Sequence, residues 1–200
     1  MDLSIQPSGS RGDTSIRTQI LPAGASATSR WAMSGFLAVA AVAVLLLAPA
    51  IWNGYPLLQY DTGGYLARWY EGYLVPSRST VYGLYLHLGE PSYFWLNLAF
   101  QSVMTLWVLH LTLRVLGLAR PLRLAGIALA LILSTALPWL ASMLITDIFA
   151  GLAVLTLFLL VAHGNRLSTV EKIALFVFTA FAAATHSATF GVLFGLCVAG

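Results

Sequence analysis

The chain has 200 residues, 59% of them hydrophobic and 8% charged, with a mean hydropathy of +0.84; that is too little polar surface to clothe a water-soluble globule. The formal net charge of +3 comes from basic residues scattered between apolar runs, with no basic run or Arg-rich face, which argues against nucleic acid as a partner. One cysteine, Cys197, excludes an intrachain disulfide and a cysteine-based zinc cluster, and its apolar neighbours predict a small core residue.

Residues 1–30 are rich in Ser, Thr, Gly, Pro and Gln without periodicity, and predict a disordered tail. The first apolar run lies too far in and is too long for a cleaved signal peptide, which predicts a retained helix. It spans Ala32 to Trp52, with Trp31 and Trp52 as interfacial anchors. A polar, aromatic loop, 53–92, follows. Further spans are expected at Tyr93 to Leu116, Leu124 to Leu144 and Ile148 to Ala162. The last apolar run, Ile173 to Gly200, is interrupted only by Thr185, His186 and Ser187, at mid-depth, as one long helix or as two short ones meeting at the histidine. The expected fold is all-α: a polytopic transmembrane bundle of five to six spans over residues 31–200, long enough to cross a hydrocarbon core of about 30 Å.

The basic residues set the orientation. Arg11, Arg17 and Arg30, then Arg114, Arg120 and Arg123, then Arg166 and Lys172, occupy alternate connections, against Arg68 and Arg78 alone in the first long loop. The positive-inside rule puts the amino terminus in the cytoplasm, and the loop 53–92 and the connection around 138–147 outside.

On that outer side lie Asp61, Glu71, Glu90 and Asp147. Asp147 is embedded between apolar runs, where a carboxylate is costly and faces a cavity or a partner. Capping is the competing explanation: Asp61 and Asp147 could each accept backbone N–H bonds at a helix start. After Asp61, Tyr65, Leu66, Trp69, Tyr70, Tyr73 and Leu74 fall at helical spacing with Arg68 and Glu71 off the stripe. This predicts an amphipathic helix in the outer interface, an anchor or the wall of a site open to lipid and water. The protease-like triplet in DTGG lacks the β-rich setting it needs, and no Gly-rich phosphate loop, HExxH or GxSxG is present.

The stretch NGYPLLQYDTGGYL after the first span, then SRSTVYGLYLHL, Gln101 within the second span, and SMLITDIFAGLAVL opening the fourth resemble the amino-terminal part of bacterial integral membrane glycosyltransferases of the C-type fold. The resemblance covers residues 31 to 200. It implies a multi-pass protein of the bacterial inner membrane that takes a sugar from a polyprenyl-phosphate carrier to a cell-envelope acceptor at the outer face. It also implies that Asp61 is the first-loop acid, acting as general base or metal ligand, and Asp147 the second acid, with a divalent ion such as Mg or Mn between hard oxygen ligands. Arg78 would meet the donor phosphate, with an ion pair to Glu71 or Glu90 as the alternative. His186 would contact phosphate or acceptor, or else be a hydrogen-bonded bundle histidine. Tyr65 and Gln101 complete the candidate substrate-binding set, Gln101 having interhelical glue as its alternative role.

The sequence departs from the family in two ways. Many members carry two adjacent acids in the first loop, whereas Asp61 is followed by Thr62, Gly63 and Gly64, which weighs against a metal. Members also have more spans, whereas this chain stops within apolar residues, as a fragment or a member lacking part of its site would. Two other classes fit the composition: a transporter, in which His186 would matter more than Asp61, and a non-catalytic assembly subunit.

Overall fold

The computed structural model describes residues 24–118 and 120–199. Among them every regular element is helical. Most of the expected tail lies outside the described residues, as does the side chain of Trp31.

Helix α1 (Gly24–Leu46) begins before the expected Ala32, so the end of the expected tail is helical. It stops at Leu47, and α2 (Ala48–Asn53) restarts with Pro49 in its first turn, where a missing N–H costs nothing. Trp52 is exposed. Within the first long loop stand two helices, α3 (Tyr60–Tyr70) and α4 (Thr80–Gly89). The aromatic stripe predicted the first, but the helix stops at Tyr70 and leaves Tyr73 and Leu74 outside it; α4 was not anticipated. α5 (Trp95–Val115) matches the expected second span.

The expected third span is broken. α6 (Pro121–Ser134) ends at an extended Thr135, and α7 (Leu137–Ser142), with Pro138 in its first turn, gives way to extended backbone at Met143. At about 1.5 Å per residue α6 covers only about 21 Å. α8 (Asp147–His163) matches the fourth span, and a short 3-10 turn leads to α9 (Thr169–Thr185) and α10 (Ser187–Ala199).

His186 separates α9 from α10 in extended conformation, φ −153° and ψ 130°, so the last apolar run is two helices. The break is a reversal of direction and not an interruption within one straight helix. Thr189 and Val192 pack beside Gly151 and Val154, and Leu196 and Cys197 beside Val161 and Ala162. α10 therefore returns along α8, and the reversal at His186 is level with Asp147, where α8 begins. The same packing leaves Cys197 exposed in the groove between α8 and α10 and not in the core.

Phe149 of α8, fully buried, centres the core, with rings of Tyr82 and Tyr85 (α4), Phe100 (α5) and Phe178 and Phe181 (α9) at 5.2–6.3 Å between centroids. α4 and α5 are locked reciprocally: Asn97 Nδ2 donates to Tyr85 O at 2.6 Å, and the Tyr85 hydroxyl donates to Asn97 O at 2.7 Å. Apolar side chains also cover much of the outside, among them Phe36, Val103, Leu133, Val161, Phe176 and Phe194, each more than 59% exposed. Among the described residues two helical segments, Trp95–Val115 and Asp147–Arg166, are long and apolar enough to cross a membrane; Gly35–Leu46, Pro121–Ser134 and Ser187–Val198 are apolar but shorter.

Polar and charged groups gather at the two ends of the α5, α8 and α9 bundle. At one end Arg114 makes a bidentate contact with Glu171, 2.6 and 2.8 Å, and Arg166 donates to Val115 O at 2.6 Å. At the other lie Asp147 and His186.

Candidate functional site

Two backbone segments that are distant in sequence are stitched together first. Leu57 N–H donates to Ser142 O and Leu144 N–H to Leu57 O, both at 2.9 Å, a short parallel bridge between the first long loop and the connection before α8. The Thr62 hydroxyl adds a buried bond to Leu144 O at 3.1 Å. The start of α3 is thereby held beside the start of α8. Gln101, fully buried on α5, donates to Met143 O at 3.4 Å beside the same bridge, while its Oε1 is buried without a partner.

Neither acid is a cap. Gln59 stands at the N-cap of α3, its backbone N–H donating to the Thr62 hydroxyl at 3.1 Å, which leaves Asp61 in the first turn with its carboxylate free to turn outward. Thr146 precedes α8 without a side-chain cap, and Asp147 is the first residue of that helix. The Asp61 carboxylate instead accepts a hydrogen bond from Arg78 in an ion pair, both side chains about one quarter exposed. Arg78 thus pairs with neither Glu71 nor Glu90. Its guanidinium also sits over the Tyr65 ring, 5.6 Å from the centroid, and its stem packs where a side chain on Gly64 would press, 3.3 Å from Arg78 Cγ.

Tyr65 is buried in the site's floor, edge-on to Tyr82 at 4.7 Å. Burial raises its phenol above the ordinary value, opposed by the Thr146 hydroxyl and Arg78. Tyr82 is fully buried, its hydroxyl has no hydrogen-bond partner, and burial pushes it well up, so it stays neutral.

Ser79 fixes the last wall. It caps α4, accepting from Val81 N–H at 3.1 Å and Tyr82 N–H at 3.3 Å. Its own hydroxyl donates to Ala184 O at 2.6 Å, one of the carbonyls freed where α9 ends. Arg78 is thereby brought beside His186 in a cavity of about 400 Å³ lined also by Ser77, Ser187 and Phe190. On its other side His186 lines a second cavity, about 340 Å³, with Asp147, Gly151, Thr189 and Val192. Below it a third, about 420 Å³, continues along the α8–α10 groove, sharing Val154 and lined by Leu157, Phe158, Val161, Leu196 and Cys197.

Asp61, Tyr65, Arg78, Asp147 and His186 are therefore gathered by the starts of α3, α4 and α8 and the break before α10; Gln101 stands apart. The reading from sequence missed Ser79, Thr62 and Thr146. Ser79, followed by Thr80 and an apolar run, is a legible helix start; nothing local marks the contacts of the other two.

The donor set does not suit a resident divalent ion. No group of three or more His, Cys, Asp or Glu side chains is placed to hold a metal among the described residues, and the hard oxygens of Asp61 already face a guanidinium. Asp147 is exposed, and no ion pair engages it among the described residues.

No protein-family model matches the chain, and no curated protein or solved structure matches it.

Proposed function

We propose that the chain is a multi-pass membrane protein that binds a polyprenyl-phosphate-linked sugar at the outer face and transfers the sugar to a cell-envelope hydroxyl. The observation that carries this reading is the α8–α10 groove. A polar mouth with Asp147, His186 and the nearby Arg78 runs directly into an apolar trough from Val154 to Cys197. A ligand that fills both has an anionic head and a long hydrocarbon tail. The apolar exterior supports lipid as the surrounding medium. On this reading α1 with α2, and α6 with α7, cross as broken helices, and the cytoplasmic end holds Arg114, Arg166 and Glu171.

Arg78 and His186 then hold the phosphate, and Asp61 aims Arg78. Asp147, with no counter-cation of its own among the described residues, takes the base role that an unpaired Asp61 would otherwise have. The acceptor oxygen attacks the anomeric carbon as its proton passes to Asp147; the bond from that carbon to phosphate oxygen breaks, and the lipid phosphate leaves. A transporter would use the His186 break at mid-membrane. Its place at the end of α8 and α9 favours the interface chemistry instead.

The test is native mass spectrometry of the purified chain in mild detergent, wild type beside Asp61→Asn, Asp147→Asn and Arg78→Gln. Co-purifying polyprenyl-phosphate lipid is expected in the wild type, reduced at least tenfold in Arg78→Gln. No such lipid on well-folded protein would overturn the reading and bring transport or assembly forward.

A further inference from the structure

A cavity of about 710 Å³ is separate from those above. It lies where α4 ends, lined by Tyr55, His87, Glu90, Pro91, Tyr93 and Phe94 together with Leu88. The chain leaves α4 through a 3-10 turn, Glu90–Ser92, and then places two consecutive non-glycine residues in the left-handed region, Tyr93 at φ 52° and Phe94 at φ 65°. Strain of this kind persists where the surroundings enforce it, often at ligand clamps. Here it turns Phe94 inward, buried, while Tyr93 stands outward at 71% exposure. Tyr55 and Phe94 pack edge to face, with ring planes at 87° and centroids 6.5 Å apart, and line the cavity together.

The polar groups are one-sided. No Lys or Arg lines the cavity among the described residues. Glu90 is its one carboxylate. His87 Nδ1 comes within 3.0 Å of Glu90 Oε2 but out of line for a hydrogen bond, and that nitrogen is buried without a partner. The His87 ring is held flat against Trp69, centroids 4.8 Å apart and planes 3° from parallel, so it cannot easily swing to serve Glu90 better. Aromatic rings lining a cavity beside an anion form the chemistry that recognises an organic cation. Among the described residues the one possible counter-charge in the lining is His87, whose Nδ1 makes no hydrogen bond to the carboxylate.

We infer that this cavity is a binding site for an alkylammonium group, seated between Tyr55, Tyr93 and Phe94 with Glu90 as its counter-ion. The site is independent of the transferase reading and lies outside the Asp61–Arg78 pair. The ammonium can come from a free solute or from the head group of a zwitterionic lipid at the interface, and these share the same recognition.

The experiment titrates the full chain with choline by calorimetry, in a detergent without a choline head group. Its uncharged tert-butyl isostere, 3,3-dimethylbutanol, serves as comparison. Saturable choline binding is expected, at least tenfold tighter than the isostere, weakened at least tenfold by Glu90→Gln and by Tyr55→Leu, and unchanged by Arg78→Gln. Circular dichroism of each variant separates lost binding from lost fold. Equal binding of choline and isostere, or no saturable binding to folded wild type, overturns the proposal. Nanodiscs of phosphatidylcholine against phosphatidylglycerol then assign the source: competition with free choline only in the former identifies the lipid, and equal choline affinity in both identifies a solute. Retention of polyprenyl phosphate by Glu90→Gln keeps the two sites' outcomes distinct.

Discussion

At Asp61 a carboxylate and a guanidinium share a partly exposed setting, where an ion pair contributes about 1 kcal/mol or less to stability. Arg78 is therefore better explained by what it can hold than by what it stabilises. Exchanging the pair, Asp61→Arg with Arg78→Asp, should leave the thermal midpoint within a few degrees of wild type and abolish lipid-phosphate retention; recovery of retention in the exchanged protein would show that the pair is only a strut. Glu171, outside the apolar run of α9, behaves differently. Hydrogen bonds from Arg114, and from Ser168 at the helix cap, hold its carboxyl at about 2, below its ordinary 4.5. A depressed carboxyl contributes stability that is fully present above the unfolded value and lost as pH falls through the folded one. Melting temperature should thus drop between pH 5 and pH 2, and Glu171→Gln should flatten that part of the profile. A wild-type curve no steeper than the variant's would count against the pair.

Helix ends organise the site more than helix bodies do. α3 and α4 approach closely enough that a side chain at Gly83 would collide with the backbone carbonyl of Tyr65, so the two helices pack as one unit. Ser79 ties that unit to the end of α9 by capping one helix and donating to the carbonyl of Ala184 in another. Removing the hydroxyl in Ser79→Ala should cost about 1 kcal/mol, the usual worth of such a cap. It should also loosen Arg78 from His186, read as weaker phosphate-lipid retention at temperatures where the protein is still folded. Ser79→Thr, which keeps the hydroxyl, should restore both. Unchanged retention in the alanine variant would mean that the α3–α4 unit is positioned by packing alone.

For the molecule as a whole, the polarity between its ends is the property to test. Arg114, Arg166 and Glu171 gather at one end of the α5, α8 and α9 bundle, and Asp147 and His186 at the other, beside Arg78. In a Cys197→Ser background, a cysteine at Ser77 should react with a membrane-impermeant maleimide in intact spheroplasts. One at Asn165 should react only after permeabilisation. Labelling of both from the same side would refute the multi-pass reading, whatever the fate of the site.

Composition and hydrophobic run length determined the helical class and the positions of α5 and α8, because each is one uninterrupted apolar stretch whose ends coincide with the ends of the run. They also singled out Asp61, Arg78, Asp147 and His186, since an ionisable group beside apolar sequence is conspicuous wherever it falls. Who pairs with whom was not legible: Arg78 reaches back to Asp61 over 17 residues, and Thr62 reaches forward to Leu144 over 82. Such bonds follow from two loop backbones pairing at Leu57 and Met143, and no local pattern encodes a partner so far along the chain. The same holds for α10. Hydropathy records that residues 187–199 are apolar, but their direction follows from packing against both α8 and α9, which turns the chain back at His186 and leaves Cys197 exposed.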